Sequence, residues 1–300
     1  MTWNRLPNGR IIRQRPDRLK LRLQDVPIIP LEHAPVSNSR KPQGASPEVD
    51  YSTPDSDPRR LYGRTVTLFG AGSVGGGLLE RLASAPLRIN LIDDKKVEKK
   101  HLQGARTIYE PGHVGMYKVH AAKLRMQRDH PAATVIPMVY NVREILTSKL
   151  QALIDESVMV AIAIDDPEQI LRISDLAYEQ VELIQPGVHR QARSGHVAIS
   201  MPRVTACLRC TLGVTDSEPI RRLDSEAGNS VDIGTVTQHA SGIAMEIIYS
   251  KVMGRRITRW DTSKNLLFIT NQRDDAYSPD GPGLSWDSGR KRSGCTICNP

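Results

Sequence analysis

A doubly wound α/β fold with a mostly parallel sheet is the architecture this sequence predicts, on three observations. From residue 64 onward, short apolar runs alternate with amphipathic segments of helical period, the pattern of successive βαβ units. The first apolar run ends in a glycine-rich turn that opens a helix, GAGSVGGG at 70–77. All four cysteines fall in two Cys-x-x-Cys pairs, Cys207/Cys210 and Cys295/Cys298. That spacing predicts one closed structural zinc site.

TVTLFG at 65–70 is a short buried strand, and 73–85 is a helix with an apolar stripe at Val74, Leu78, Leu79 and Leu82. RINLIDD (88–94) is the second strand, 117–130 a helix, and TVIPMVYNV (134–142) the third strand. A helix over 145–156 leads into VMVAIAIDD (158–166), whose unbroken apolar run marks a parallel strand covered on both faces. Pro167 opens a helix over 167–180, and VELIQPGV (181–188) is a further strand. Beyond it, a helix at 235–254 and a strand at 266–270 form a C-terminal α+β extension.

Residues 1–60 differ in character. Prolines 27, 30, 35, 42, 47, 54 and 58 are interleaved with Ser, Asn, Asp and Gly, a composition that sustains neither a helix nor an inner strand. A proline-rich basic arm over 1–60 followed by one domain over 61–300 is therefore expected. The formal net charge is +8. Residues 1–50 hold nine Lys/Arg against five Asp/Glu, so half of the excess sits in the arm. Aromatic content is 4%, and no basic stripe is interleaved with stacking rings, which argues against nucleic acid as the partner. No apolar run reaches the length of a membrane span, and no apolar stretch follows the basic N-terminus as in a secretory signal. A cytoplasmic location, away from membranes, is expected.

The turn Gly70-Ala-Gly72-Ser-Val-Gly75 combines tight bending with backbone N–H groups presented at a helix N-terminus, where the dipole favours an anion. Asp93 stands at the tip of the second strand, where a carboxylate accepts from ribose hydroxyls. Together these make a Rossmann-like nucleotide site, and an NAD(P)-dependent oxidoreductase is one reading of it. Lys95, Lys96, Lys99 and Lys100 crowd the following loop, which favours a triphosphate over a pyrophosphate bridge. For the cysteines, zinc is favoured over disulfides because both pairs share the metal-type spacing and nothing else suggests an oxidising compartment.

These residues in this order resemble the ThiF/MoeB/HesA superfamily, the adenylating domain of ubiquitin-activating enzymes: G-A-G-S-V-G, LIDD with Asp93, HLQGAR at 101–106, Val114-Gly115-x-x-Lys118, AIDD with Asp165, CLRC, and GCTIC near the C-terminus. The resemblance covers about residues 60–300. It implies an enzyme that binds ATP and Mg2+, activates the C-terminal carboxylate of a ubiquitin-like or sulfur-carrier protein ending in glycine, and works as a homodimer. Gly70, Gly72 and Gly75 would cradle the phosphates, Asp93 the ribose, Lys118 the phosphates, and Asp165 the magnesium, with Zn2+ on the four cysteines.

The chain departs from the family's Asn-Leu-x-Arg loop. His101 stands at the Asn position and Gly104 at the Arg position, so Arg106 is expected to supply the phosphate-binding guanidinium, with Gln103 as a lesser contact. If Arg106 does not, the chain is a weakened family member acting as a scaffold. Arg10-Ile-Ile-Arg13-Gln14 is similar to the family's N-terminal Arg-Tyr-x-Arg-Gln. The segment 211–234, where relatives place a thioester cysteine, has none. With all four thiols on zinc, the chemistry would stop at the acyl-adenylate, which passes to a downstream conjugating or sulfur-donor protein.

Overall fold

The structure, a computed structural model, describes residues 3–5, 11–13, 58–102, 108–189, 194–213, 232–254, 264–270 and 283–298. The chain divides into two units, Met1–Val49 and Asp50–Pro300. In the first unit Trp3–Arg5 (β1) pairs antiparallel with Ile11–Arg13 (β2). The sequence carries a signal for this hairpin in Asn8-Gly9, a favoured hairpin-turn pair. Most of the arm lies outside the described residues.

The second unit is built on one eight-stranded sheet. Thr65–Phe69 (β3) is the middle strand of its five-stranded parallel part and is buried along its whole length. Arg88–Ile92 (β4) pairs parallel with it on one side and Ser157–Ile162 (β6) on the other. Thr134–Met138 (β5) adds to β4, and Glu182–His189 (β7) to β6, both parallel. Three antiparallel strands extend the β7 edge: Ser194–Ser200 (β8), Leu266–Thr270 (β9) and Gly283–Asp287 (β10). The C-terminal extension is therefore not a separate layer but a continuation of the same sheet.

Two apolar layers flank the sheet. On one side it packs Leu78, Leu79 and Leu82 of Ser73–Leu82 (α1), Val119, Ala122 and Met126 of Lys118–Asp129 (α2), and Val236, Ala240 and Ile247 of Asp232–Met253 (α6). On the other it packs Leu150 and Leu153 of Thr147–Asp155 (α3) and Ile170 and Ile173 of Pro167–Ala177 (α4). Helices on both faces explain why β3 and β6 are mostly apolar, with Thr65, Thr67 and Ser157 the polar exceptions. A short helix, Leu208–Thr211 (α5), follows β8. Each helix expected in the second unit forms, to within a few residues at the ends. Among the described residues no helix is long and apolar enough to cross a membrane.

Strands β8 and β10 were not anticipated. The run 196–200 is short and follows closely on β7. Its character as a strand depends on a cross-strand fit, in which the His196 ring fills the space left by Gly187, where a Cβ would lie 2.3 Å from the ring. β10, with the sequence GLSWD, is mostly exposed and lacks β-branched residues, so its pairing is set by β9 rather than by propensity.

The turn after β3 sets the strictest local requirement. Gly70 has φ +96, and a Cβ there would lie 2.3 Å from the Ala163 carbonyl oxygen; a Cβ at Gly75 would lie 2.0 Å from the Gly70 oxygen. At Gly72 an added Cβ meets nothing within 4 Å. Gly75→Ala should accordingly destabilise the fold by about 2–3 kcal/mol, and Gly72→Ala by no more than about 1 kcal/mol, measured by denaturant unfolding.

Candidate active site

The strand order reverses on either side of β3, so the carboxyl ends of β3, β4 and β6 open a crevice at the switch point, where ligands of doubly wound sheets bind. Gly72 is the N-cap of α1, in extended backbone, and no side chain caps the helix. The first amides of α1 thus remain available, at the positive end of the helix dipole.

Asp93 follows β4 and is fixed by two backbone donors. The Ala71 N–H donates to Oδ2 and the Lys95 N–H to Oδ1, each at 2.8 Å. Tyr109 closes the same turn from the other side, its hydroxyl donating to the Ala71 carbonyl at 2.5 Å. Burial, and to a lesser extent the Asp93 charge, raise the Tyr109 pKa, so the phenol keeps its proton and donates.

Lys118, the first residue of α2, is brought to the crevice by a short ladder. Val97 N–H donates to Met116 O, Gly115 N–H to Val97 O, and Lys118 N–H to Lys95 O. The residue is only 5% exposed. Burial lowers its pKa, while the nearby Asp93 carboxylate pulls in the opposite direction. An ammonium held this dry gains more from an arriving anion than a solvated one.

Asp165 and Asp166 have separate tasks. Asp166 caps α4, accepting from the N–H groups of Glu168 at 3.1 Å and Gln169 at 3.4 Å, and pairs with Arg143 at 2.5 Å. Asp165 is exposed at the end of β6, and its carboxylate meets Lys95 Nζ at 3.7 Å. An exposed carboxylate with no capping bond is a suitable ligand for a hard cation.

The basic loop is more engaged than its composition suggests. Lys95 faces Asp165, Lys96 lies 5.1 Å from the Tyr117 ring centroid, and Lys100 pairs with Glu98 at 3.1 Å. His101 Nδ1 accepts from the Glu98 N–H at 2.8 Å. Burial, then the Lys118 charge, lower its pKa. The neutral ring therefore carries its proton on Nε2, as a donor. Gln103, Gly104, Arg106 and Arg10 lie outside the described residues, as do residues 214–231 of the cysteine-free segment 211–234.

The four cysteines converge elsewhere in the unit. Their sulfurs all lie within 4.8 Å of one another, with Cys207 Sγ 3.7 Å from Cys295 Sγ and Cys210 Sγ 3.6 Å from Cys298 Sγ. A disulfide needs about 2.05 Å, whereas a tetrahedron of thiolates about 2.3 Å from a zinc ion has edges of about 3.8 Å. The arrangement fits a metal. Around it, the Arg292 N–H donates to Cys210 Sγ at 3.5 Å, Arg209 pairs bidentately with Asp175, and the Tyr178 hydroxyl donates to Thr205 O at 3.1 Å. Asn265, buried, donates to Thr211 Oγ1 of α5 and accepts from the Gly289 N–H, both at 2.7 Å. Sequence reasoning missed this brace and Tyr109, because neither residue belongs to a motif.

A glycine turn at a sheet's switch point, with an uncapped helix start, a fixed carboxylate and a buried lysine, defines a nucleotide-type doubly wound α/β protein. A model of the ThiF family matches residues 52–279. The chain belongs to the ThiF family. It is 27% identical to ubiquitin-like modifier-activating enzyme 5 of Branchiostoma floridae over 164 residues, covering 50% of this chain and 40% of that one. For the Drosophila virilis protein of the same name the values are 25% over 203 residues, 63% and 50%. The chain spans half or less of the length of these relatives. Among solved structures, E. coli MccB superposes with a TM-score of 0.63 at 15% identity, over 81% of this chain and 67% of that one. MccB with AMPCPP and MccA gives 0.62 at 15%, over 81% and 68%, and PaaA gives 0.57 at 17%, over 77% and 74%. At these identities the likeness is one of fold.

The two neighbouring carboxylates make a direct comparison. Asp166→Ala should cost about 1 kcal/mol through loss of the cap, and Asp165→Ala less than about 0.5 kcal/mol, by thermal or denaturant unfolding of the two variants side by side.

Proposed function

We propose that this chain is an ATP- and Mg2+-dependent adenylyltransferase acting on the C-terminal carboxylate of a small ubiquitin-like or sulfur-carrier protein. The observation that carries the proposal is the gathering of the open α1 amides, Asp93, Lys118 and Asp165 at one switch point in a ThiF-family chain. That family also weighs against the dehydrogenase reading. A substrate carboxylate oxygen attacks the α-phosphorus of ATP, and the bond from that phosphorus to the oxygen bridging the β-phosphate breaks. Pyrophosphate leaves with the electron pair, and the carboxyl group becomes an acyl-adenylate. Such a displacement needs position and charge neutralisation more than proton transfer.

Each residue has a part in this. The Gly72 N–H and the open amides at the start of α1 receive phosphate oxygens, and Gly75 lets the turn close. Asp93, already aligned by two amides, accepts from the ribose. Lys118 meets the phosphates as a buried point charge. Asp165 would hold magnesium, which would neutralise phosphate charge, and Lys95, 3.7 Å from Asp165, adds a cation at the same edge of the crevice. His101 offers its Nε2 proton, while Arg106 and Gln103 complete the phosphate contacts. The protein works as a homodimer in the cytoplasm, where thiols stay reduced.

Cys207, Cys210, Cys295 and Cys298 hold one structural zinc ion, which joins α5 to the segment after β10. As all four thiols of the chain meet in that cluster, none is left to take the acyl group. The acyl-adenylate is the end of this chain's chemistry and passes to the sulfur or amine of another protein. A reducible covalent conjugate of this chain with its carrier would contradict that ending.

ATP–pyrophosphate exchange, screened with small proteins ending in Gly-Gly, tests the activity. Asp165→Ala and Lys118→Ala should each lower the exchange rate about a hundredfold without loss of fold; exchange absent with every such protein would rule against this substrate class. Elemental analysis should give about one zinc per chain, and its removal by a chelator should lower the unfolding midpoint. Folded, zinc-free protein with an unchanged midpoint would overturn the metal assignment.

A further inference from the structure

We propose that Ile108–Glu110 is a strut that orients the phosphate-binding turn, with Tyr109 as its positioning residue. Three contacts define it. The Tyr109 hydroxyl, on a residue 7% exposed, donates to the Ala71 carbonyl at 2.5 Å. Ile108 packs against the start of α1, where a Cβ at Gly76 would lie 3.1 Å from its Cγ1. The Glu110 carboxylate anchors the segment to α2, accepting from Arg125 at 2.6 Å and from Arg128 at 2.8 Å. Its backbone N–H is tied in turn to His113 Nδ1 at 3.1 Å.

The geometry of a trans peptide gives these contacts their consequence. The Ala71 carbonyl and the Gly72 N–H belong to one planar unit and point in opposite directions. With the carbonyl held inward by Tyr109, the Gly72 N–H is aimed outward. It makes no hydrogen bond among the described residues, and the space at Gly72 is open to beyond 4 Å. The preceding peptide is fixed in the same manner, since the Ala71 N–H is held by Asp93 while the Gly70 carbonyl lies against Gly75. Two successive peptide planes are thereby set before any ligand arrives, one by the residue expected at the ribose and one by Tyr109. A donor oriented in advance costs no reorganisation when an anion binds.

The strut rests on the adenylation reading, and the test separates the two. Full-length wild type, Tyr109→Phe and Glu110→Gln are titrated calorimetrically with ATP in the presence of Mg2+, and separately with adenosine. Tyr109→Phe keeps the ring and removes the donor; it should weaken ATP binding about fivefold to tenfold while changing adenosine binding less than about twofold. Glu110→Gln, at a partly exposed position, should shift ATP in the same direction by a smaller factor. A role confined to packing would lower the unfolding midpoint of Tyr109→Phe and leave the ATP-to-adenosine ratio where it was. An unchanged ratio in a folded Tyr109→Phe protein overturns the strut alone. Should Tyr109→Phe not fold, unchanged ATP affinity in Glu110→Gln overturns it. Wild type that binds no ATP overturns the adenylation reading and the strut with it.

Discussion

Between Phe69 and Gly75 the chain turns through a space where two carbonyl oxygens leave no room for side chains. The Ala163 oxygen lies 2.3 Å from where a Cβ at residue 70 would stand, and the Gly70 oxygen 2.0 Å from one at residue 75. This crowding brings the end of β3 against the end of β6 and the start of α1 against the turn. It also brings Ala163 and Ile164, just ahead of Asp165, against the turn whose Ala71 amide Asp93 holds. Burial of β3 on both faces fixes the strand, the strand fixes the turn, and the turn fixes which backbone donors face the crevice. The chemical character of the crevice is thus set largely by backbone, with Lys118 and the two aspartates adding charge around it.

Charge in the crevice is arranged so that little of it is idle before a ligand arrives. Lys95 faces Asp165, Asp93 takes two amides, and Asp166 is committed to α4 and Arg143. The exposed pair contributes little to stability, so its exchange for other partners is cheap. Lys118 differs because it is buried and forms no ion pair among the described residues. It is the cation whose surroundings improve most when an anion enters.

The parallel half of the fold was legible because its inner strands are covered on both faces and so carry mostly apolar residues, while each helix shows its stripe. That Asp93, Lys118 and Asp165 come together around the glycine turn was legible from their places after strands and at a helix start, and that the four cysteines meet was legible from their paired spacing. Less was visible where tertiary pairing decides. β8 depends on His196 filling the gap at Gly187, and β10 has little intrinsic strand preference. Tyr109 and Asn265 act through single hydrogen bonds to distant backbone or side chains, and no local pattern marks such a contact. Which of Asp165 and Asp166 caps α4 was equally hidden, as either carboxylate precedes Pro167 closely enough to do so.

The sulfur cluster joins positions 88 residues apart in both of its close pairs, and the loop so closed contains α6, β9 and β10. In the chain-entropy treatment of cross-links, closing a loop of that size restricts the unfolded chain by about 4–5 kcal/mol. The pairs link the segment after β8 to the segment after β10. The antiparallel strands at the edge farthest from β3, β9 and β10, thus lie within one stretch of chain enclosed by the two sulfur pairs, apart from the turn that sets the crevice.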